Sequence, residues 1–257
     1  MTTDGAIWVF AGPSLPPSRR PNAAAFVWRP PAMAGDAILA LQAAPRAVVL
    51  IDGLFDQVPA IKHKELLALM EQGVAVIGGA SMGALRAAEL HTLGMLGVGR
   101  IFEAFAAGRL VGDDEVALLH GPQEMHWAPL TLPLVNVRAT LARAVREAVL
   151  GVATARRLRE RAAGLFFQDR TWRTLAKAWA AHGDASAAEL GRFLAWASSG
   201  YVDLKQRDAL ECLAVAAQAA APRSAGPLRG VTAFTERLVS QVSAGLKPDP
   251  ASSARRP

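Results

Sequence analysis

Five consecutive residues, Gly79-Ala80-Ser81-Met82-Gly83, have the composition and spacing of a nucleophile turn. The pattern G-x-S-x-G sets a serine on a tight bend between a buried strand and a helix. The flanks agree with that context. Val74, Val76 and Ile77 make an almost continuous β-branched run, as expected of a strand buried on both faces. Ala84 to Leu90 are mostly good helix formers. A hydroxyl at the carboxyl end of such a strand, beside the unpaired N–H groups of a helix start, suits acyl transfer: Ser81 attacks and the amides hold the oxyanion. Two other uses of the same turn exist. It can cradle a phosphate, or it can be a tight connection that needs positive φ. Neither a Walker Lys-Ser/Thr nor a complete G-x-G-x-x-G accompanies it, which weakens the nucleotide alternative.

Several polar residues fall where they can assist Ser81. In open parallel sheets the ligand crevice lies beyond the carboxyl ends of the strands. Asp52 follows the apolar run 47–51, Ser14 follows the run 6–10, and His120 ends the run 115–120. Arg86 lies about one turn into the Ser81 helix, close enough to offset an anion. His63 shares a helical face with Leu66, Leu67 and Met70, so an imidazole sits on an apolar stripe near a helix start. A core histidine bonded to a carbonyl is the commoner meaning of that pattern. Lys62, Lys64 and Glu65 read as more exposed. The acidic run Asp113-Asp114-Glu115 has no histidine pair at ligand spacing, so it reads as a loop or helix flank and no metal is expected. His91, His126 and His182 form no constellation. Cys212, the only cysteine, reads as a small buried hydrophobe; it excludes an internal disulfide, a cysteine-based zinc site and a two-cysteine sulfur relay.

The elements that must position these residues alternate along the first half. Runs 6–10, 24–29, 47–51 and 74–79 read as strands, and 115–120 as a further one. Helices are expected over 35–44, from Pro59 to Gly73, after Ser81, and over 99–107. That alternation predicts an α/β fold with a mostly parallel sheet flanked by helices over residues 1–130. From 131 to 240 the chain is rich in Ala, Leu and Arg and carries helical periodicity, predicting an α-helical bundle or cap. Residues 241–257 contain Pro and Ser without an apolar face and read as a disordered tail.

Composition bounds the rest. With 52% hydrophobic and 19% charged residues the chain is globular, and no apolar run is long enough to span a bilayer. The first residues lack a basic n-region, so no signal peptide is expected and a cytoplasmic protein is the default. The net charge of +6 is scattered through helices and a basic C-terminal stretch, with no basic stripe interleaved with aromatics. Neither nucleic acid nor membrane is an expected partner.

Seven segments in order resemble the TfuA-like family: VFAGPSLP (9–16), PPAMAGD (30–36), IDGLFDQVPAIKHKE (51–65), GASMGALRAAEL (79–90), GMLGVGRIFEAF (94–105), DDEVALLHGP (113–122) and VNVR (135–138). The resemblance covers roughly residues 6–140. It implies a partner for a YcaO-type enzyme, which activates a peptide backbone amide with ATP, in thioamidation and ribosomal peptide natural-product pathways. The implied activity is hydrolysis of the C-terminal thiocarboxylate of a ubiquitin-like sulfur carrier, releasing sulfide for that enzyme. A precursor peptide is a further possible partner, and no cofactor is expected. The motif positions it singles out are Ser81, Arg86, His63, Lys62, Asp52 and Asp114. Ser81 is the expected nucleophile, His63 the base, and Arg86 or Lys62 the cation that offsets the anionic substrate. A Ser-Lys arrangement with Lys62 or Lys64, and direct hydrolysis without an acyl-enzyme, remain open. Asp52, Ser14, Gly79, Gly83, Asp114 and His120 are the expected substrate contacts. The contrasting possibility is a non-catalytic adaptor that binds YcaO and delivers peptide or carrier.

Overall fold

A computed structural model describes residues 5–54 and 58–219. Its centre is a parallel sheet of β1 (Ile7–Phe10), β2 (Phe26–Arg29), β3 (Ala47–Leu50), β4 (Ala75–Gly79) and β5 (Leu96–Val98), in the order β2-β1-β3-β4-β5. The order is that of doubly wound flavodoxin-like sheets, whose ligands bind at the carboxyl ends of the strands where the winding reverses. The inner strands β1 and β3 carry only Val, Ile, Leu, Ala and aromatics because both of their faces are covered. Side chains alternate between the two faces. Trp8, Phe10, Val48, Leu50 and Val76 meet α1 (Asp36–Ala43), α2 (His63–Glu71) and α3 (Met82–Leu90) on one side. Ile7, Val9, Val49, Ile51 and Ile77 face the other way.

That second face is covered from far along the chain. After α4 (Gly99–Ala106) and a long loop, α5 (Leu134–Arg146), α6 (Val152–Ala163), α7 (Trp172–Ala181) and α8 (Ala187–Gly200) pack around Trp179 and Phe193. Then α9 (Leu204–Ala217) returns to the sheet and buries Ala209, Cys212, Leu213 and Ala216 against it. On the same helix, Asp208 accepts the Ile101 N–H at 2.8 Å and so caps the start of α4. Asp208 is drawn to about 6 by burial, against the pull of the backbone amides at Ile101 and Arg100.

Three expectations need correction. Residues 115–120 are not a strand: Asp113–Glu115 form a 3-10 turn, and the rest is a loop with one isolated bridge, His120 to Pro129. The sheet edge next to β4 is taken instead by β5, a segment whose Gly97 hid it from strand patterning. Val116 and Ala117 are buried, Val116 in a cluster with Ala84, Ile101 and Val135. The second helix starts at His63 rather than near Pro59, because the Pro59 carbonyl accepts the Ala34 N–H and holds the chain extended. Glu65 is buried, not exposed, with Oε2 accepting the Gly35 N–H at 2.8 Å. Among the described residues no helix is long and apolar enough to cross a membrane. The tail expected over 241–257, and residues 220–240 of the expected bundle, lie outside the described residues.

Candidate functional site

Ser81 stands at the carboxyl end of β4 as the N-cap of α3. The chain turns there within three residues: the Ser81 N–H donates to the Gly79 carbonyl at 2.8 Å, with Ala80 between them at φ +65°. This γ-type turn is a strained conformation for a residue with a Cβ, and it sits one residue before the serine. Gly83 lets α3 descend against β3. A Cβ at this position would overlap the Leu50 carbonyl oxygen, and its own N–H donates to the Ile51 carbonyl at 3.2 Å. Gly79 is equally a packing glycine, set against Cys212 Sγ and the Val98 carbonyl. The Ser81 hydroxyl caps nothing. It opens onto a cavity of about 400 Å³ whose walls include Asp52, His120, Trp127, Phe167 and Lys205.

Asp52, at the end of β3, ties the neighbouring loop in place. Its Oδ2 accepts the N–H groups of Gly12 and Ser14 at 2.8 and 3.0 Å, and Oδ1 accepts the Ser14 hydroxyl at 2.6 Å. Three donors satisfy a carboxylate that is only 3% exposed. Ser14 thus acts on the site through Asp52. His120 pairs Nδ1 with the Gly121 carbonyl at 2.8 Å. A carbonyl only accepts, so Nδ1 carries the proton and Nε2 of the neutral ring is left basic.

The remaining expected residues gather elsewhere. His63, Lys62, Lys64 and Arg86 line a separate, open cavity of about 440 Å³ with Ala60 and Ile61, sharing no residue with the Ser81 cavity. There His63 Nε2 lies 2.6 Å from Glu89, and Arg86 reaches Glu89 at 2.7 Å and the Ile61 carbonyl at 3.2 Å. Burial pushes the Glu89 carboxyl upward, but Arg86 and then His63 outweigh it and hold the group below its usual range. The cation of Arg86 is therefore engaged at home. Asp114 lies on the 3-10 turn with its carboxylate 3.5 Å from Arg170, lining neither cavity.

Lys205 is the residue that sequence reasoning missed. It occupies the first turn of α9, 2% exposed, with Nζ donating to the Val116 carbonyl at 2.8 Å. Burial lowers its pKa, while Asp52 and Asp203 act to raise it. No motif surrounds it, and a lysine at a helix start ordinarily reads as solvated. Only the return of α9 to the sheet brings it to the crevice.

Residues 52–171 match the family described as TfuA-like protein. This stretch, a little under half of the chain, is a TfuA-like region. The matched stretch holds Asp52, Ser81 and His120, whereas Ser14 and Lys205 lie outside it. No curated protein matches this chain.

Proposed function

We propose that this protein hydrolyses the C-terminal thiocarboxylate of a ubiquitin-like sulfur carrier and supplies the released sulfide to a YcaO-type enzyme in peptide backbone thioamidation. The observation that carries this reading is the shared cavity of Ser81, His120, Asp52 and Lys205 at the carboxyl ends of β3 and β4.

In this mechanism Ser81 Oγ attacks the thiocarboxylate carbon, and His120 Nε2 takes the hydroxyl proton. His120 replaces His63 as base because His63 is paired to Glu89 in the other cavity. The Met82 N–H holds the developing oxyanion, since the Gly83 N–H is taken by the Ile51 carbonyl and the Ala84 N–H by the Ser81 carbonyl. As the C–S bond breaks, His120 passes its proton to the departing sulfur, which leaves as HS⁻, so that acyl-serine and a neutral His120 remain. Water hydrolyses the acyl-serine, leaving a carboxylate and free Ser81. The test is sulfide release from thiocarboxylated carrier. Ser81→Ala should reduce it at least about a thousandfold with unchanged circular dichroism. His120→Gln should reduce it about a hundredfold or more. Full release by Ser81→Ala would end the nucleophile assignment.

One observation favours a second reading, a non-catalytic adaptor. Among the described residues the Ser81 hydroxyl has no bond to a base. An adaptor would lose YcaO capture, not turnover, when the turn is mutated. A pull-down measured beside the sulfide assay separates the two.

A further inference from the structure

We propose that Lys205 is the anion receptor of a two-chamber binding track, gripping the negatively charged end of an extended acyl chain beside Ser81. This deepens the acyl-substrate reading of the same cavity and rests on it. A second cavity of about 430 Å³ abuts the first, with Leu130, Leu132, Trp172, Tyr201 and Asp203 among its walls. Pro13, Leu118 and Lys205 line both chambers. The junction is tightened by the Ser14–Asp52 hydrogen bond at 2.6 Å, since Ser14 faces one chamber and Asp52 the other.

The state of the ammonium group points to a ligand. A lysine has three N–H donors. Among the described residues Lys205 Nζ uses one, on the Val116 carbonyl, and has no carboxylate within ion-pair distance. Asp52 and Asp203 act on it through space, neither within ion-pair distance, and each accepts hydrogen bonds from other groups. Asp52 serves Gly12 and Ser14, while Asp203 accepts the Asn136 side-chain amide and the Gln206 N–H at 3.0 Å each. A charge this deeply buried is costly without a close partner. An anion arriving between the chambers supplies one. The occupant that fits is an unbranched acyl chain, such as a small-residue peptide tail, lying along the second chamber and ending in a carboxylate or thiocarboxylate.

The test titrates the full chain with a short glycine-rich peptide acid and with its C-terminal amide twin. Wild type should bind the acid at least tenfold more tightly. Lys205→Met should bring the acid down to the amide's affinity. Leu130→Glu, at a position half exposed on the second chamber, should weaken both at least fivefold. Equal affinity for acid and amide in wild type, including no binding of either, overturns the proposal. So does an acid preference that survives Lys205→Met, or unchanged affinity in Leu130→Glu. If Lys205→Met does not fold, ¹³Cε-lysine spectra of wild type decide: the acid and not the amide must move the Lys205 signal. Acid preference without thiocarboxylate hydrolysis would remove the hydrolase reading and keep the receptor; hydrolysis without acid preference would do the reverse.

Discussion

Asp52 shows how one side chain can hold a site together without reacting. Its carboxylate gathers Gly12, Ser14 and the end of β3 into one corner, so removing it leaves two buried N–H groups without acceptors. Asp52→Ala should cost about 2–4 kcal/mol in chemical denaturation, and Ser14→Ala about 1 kcal/mol. At Ala80, the positive φ is a strain that glycine would relieve. Ala80→Gly should leave stability within about 1 kcal/mol of wild type, and Ala80→Val should lower it clearly, both read from thermal melts. Ser81, Asp52 and Ser14 were legible because motif and strand ends locate them; His120 lines the same cavity although the run that singled it out is a loop. His63 and Arg86 were misplaced by the same logic: a helical face says which residues share a stripe, not which cavity that stripe borders. Lys205 was illegible, since its meaning lies in a contact with residues about ninety positions away.

The elements divide the same way between local and distant causes. Strands β1, β3 and β4 announce themselves through β-branched runs, and α8 through the Ser186–Glu189 capping box, in which side chain and backbone serve each other. Ser186→Ala should therefore cost about 1 kcal/mol by thermal melting. The stretch 115–120 misled because its apolar residues satisfy burial in a loop, and burial alone does not distinguish that from a strand. Gly83 marks the tightest element contact near the site. Gly83→Ala should push α3 off β3, lowering both stability and sulfide release, because the Leu50 carbonyl is backbone and has little room to yield.

Across the whole molecule, α9 ties the helical half to the sheet, and within the α/β half Glu65 makes a pH-sensitive joint between α2 and the Gly35 turn that starts α1. Burial raises the Glu65 pKa from 4.5 to about 7, and its Oε1 is buried with no partner. The folded state thus holds a proton that the unfolded chain releases. Glu65 stabilises the fold fully below pH 4.5, and its contribution falls as pH rises through about 7, by up to about 3 kcal/mol. Glu65→Gln should flatten stability against pH across that window in denaturant titrations at several pH values. The α/β class and the helical second half were legible from alternation and composition. That the last described helix belongs to the sheet was not, because an Ala- and Leu-rich helix carries no label for what it will cover.

That late arrival bears on biosynthesis. At about 5–20 residues per second, the roughly 200 residues between β1 and α9 take on the order of 10–40 s to translate. Until α9 emerges, the sheet face of Ile7, Val9 and later Val49 lacks the helix that buries it in the folded protein, so the growing chain is expected to be a client for holdase chaperones.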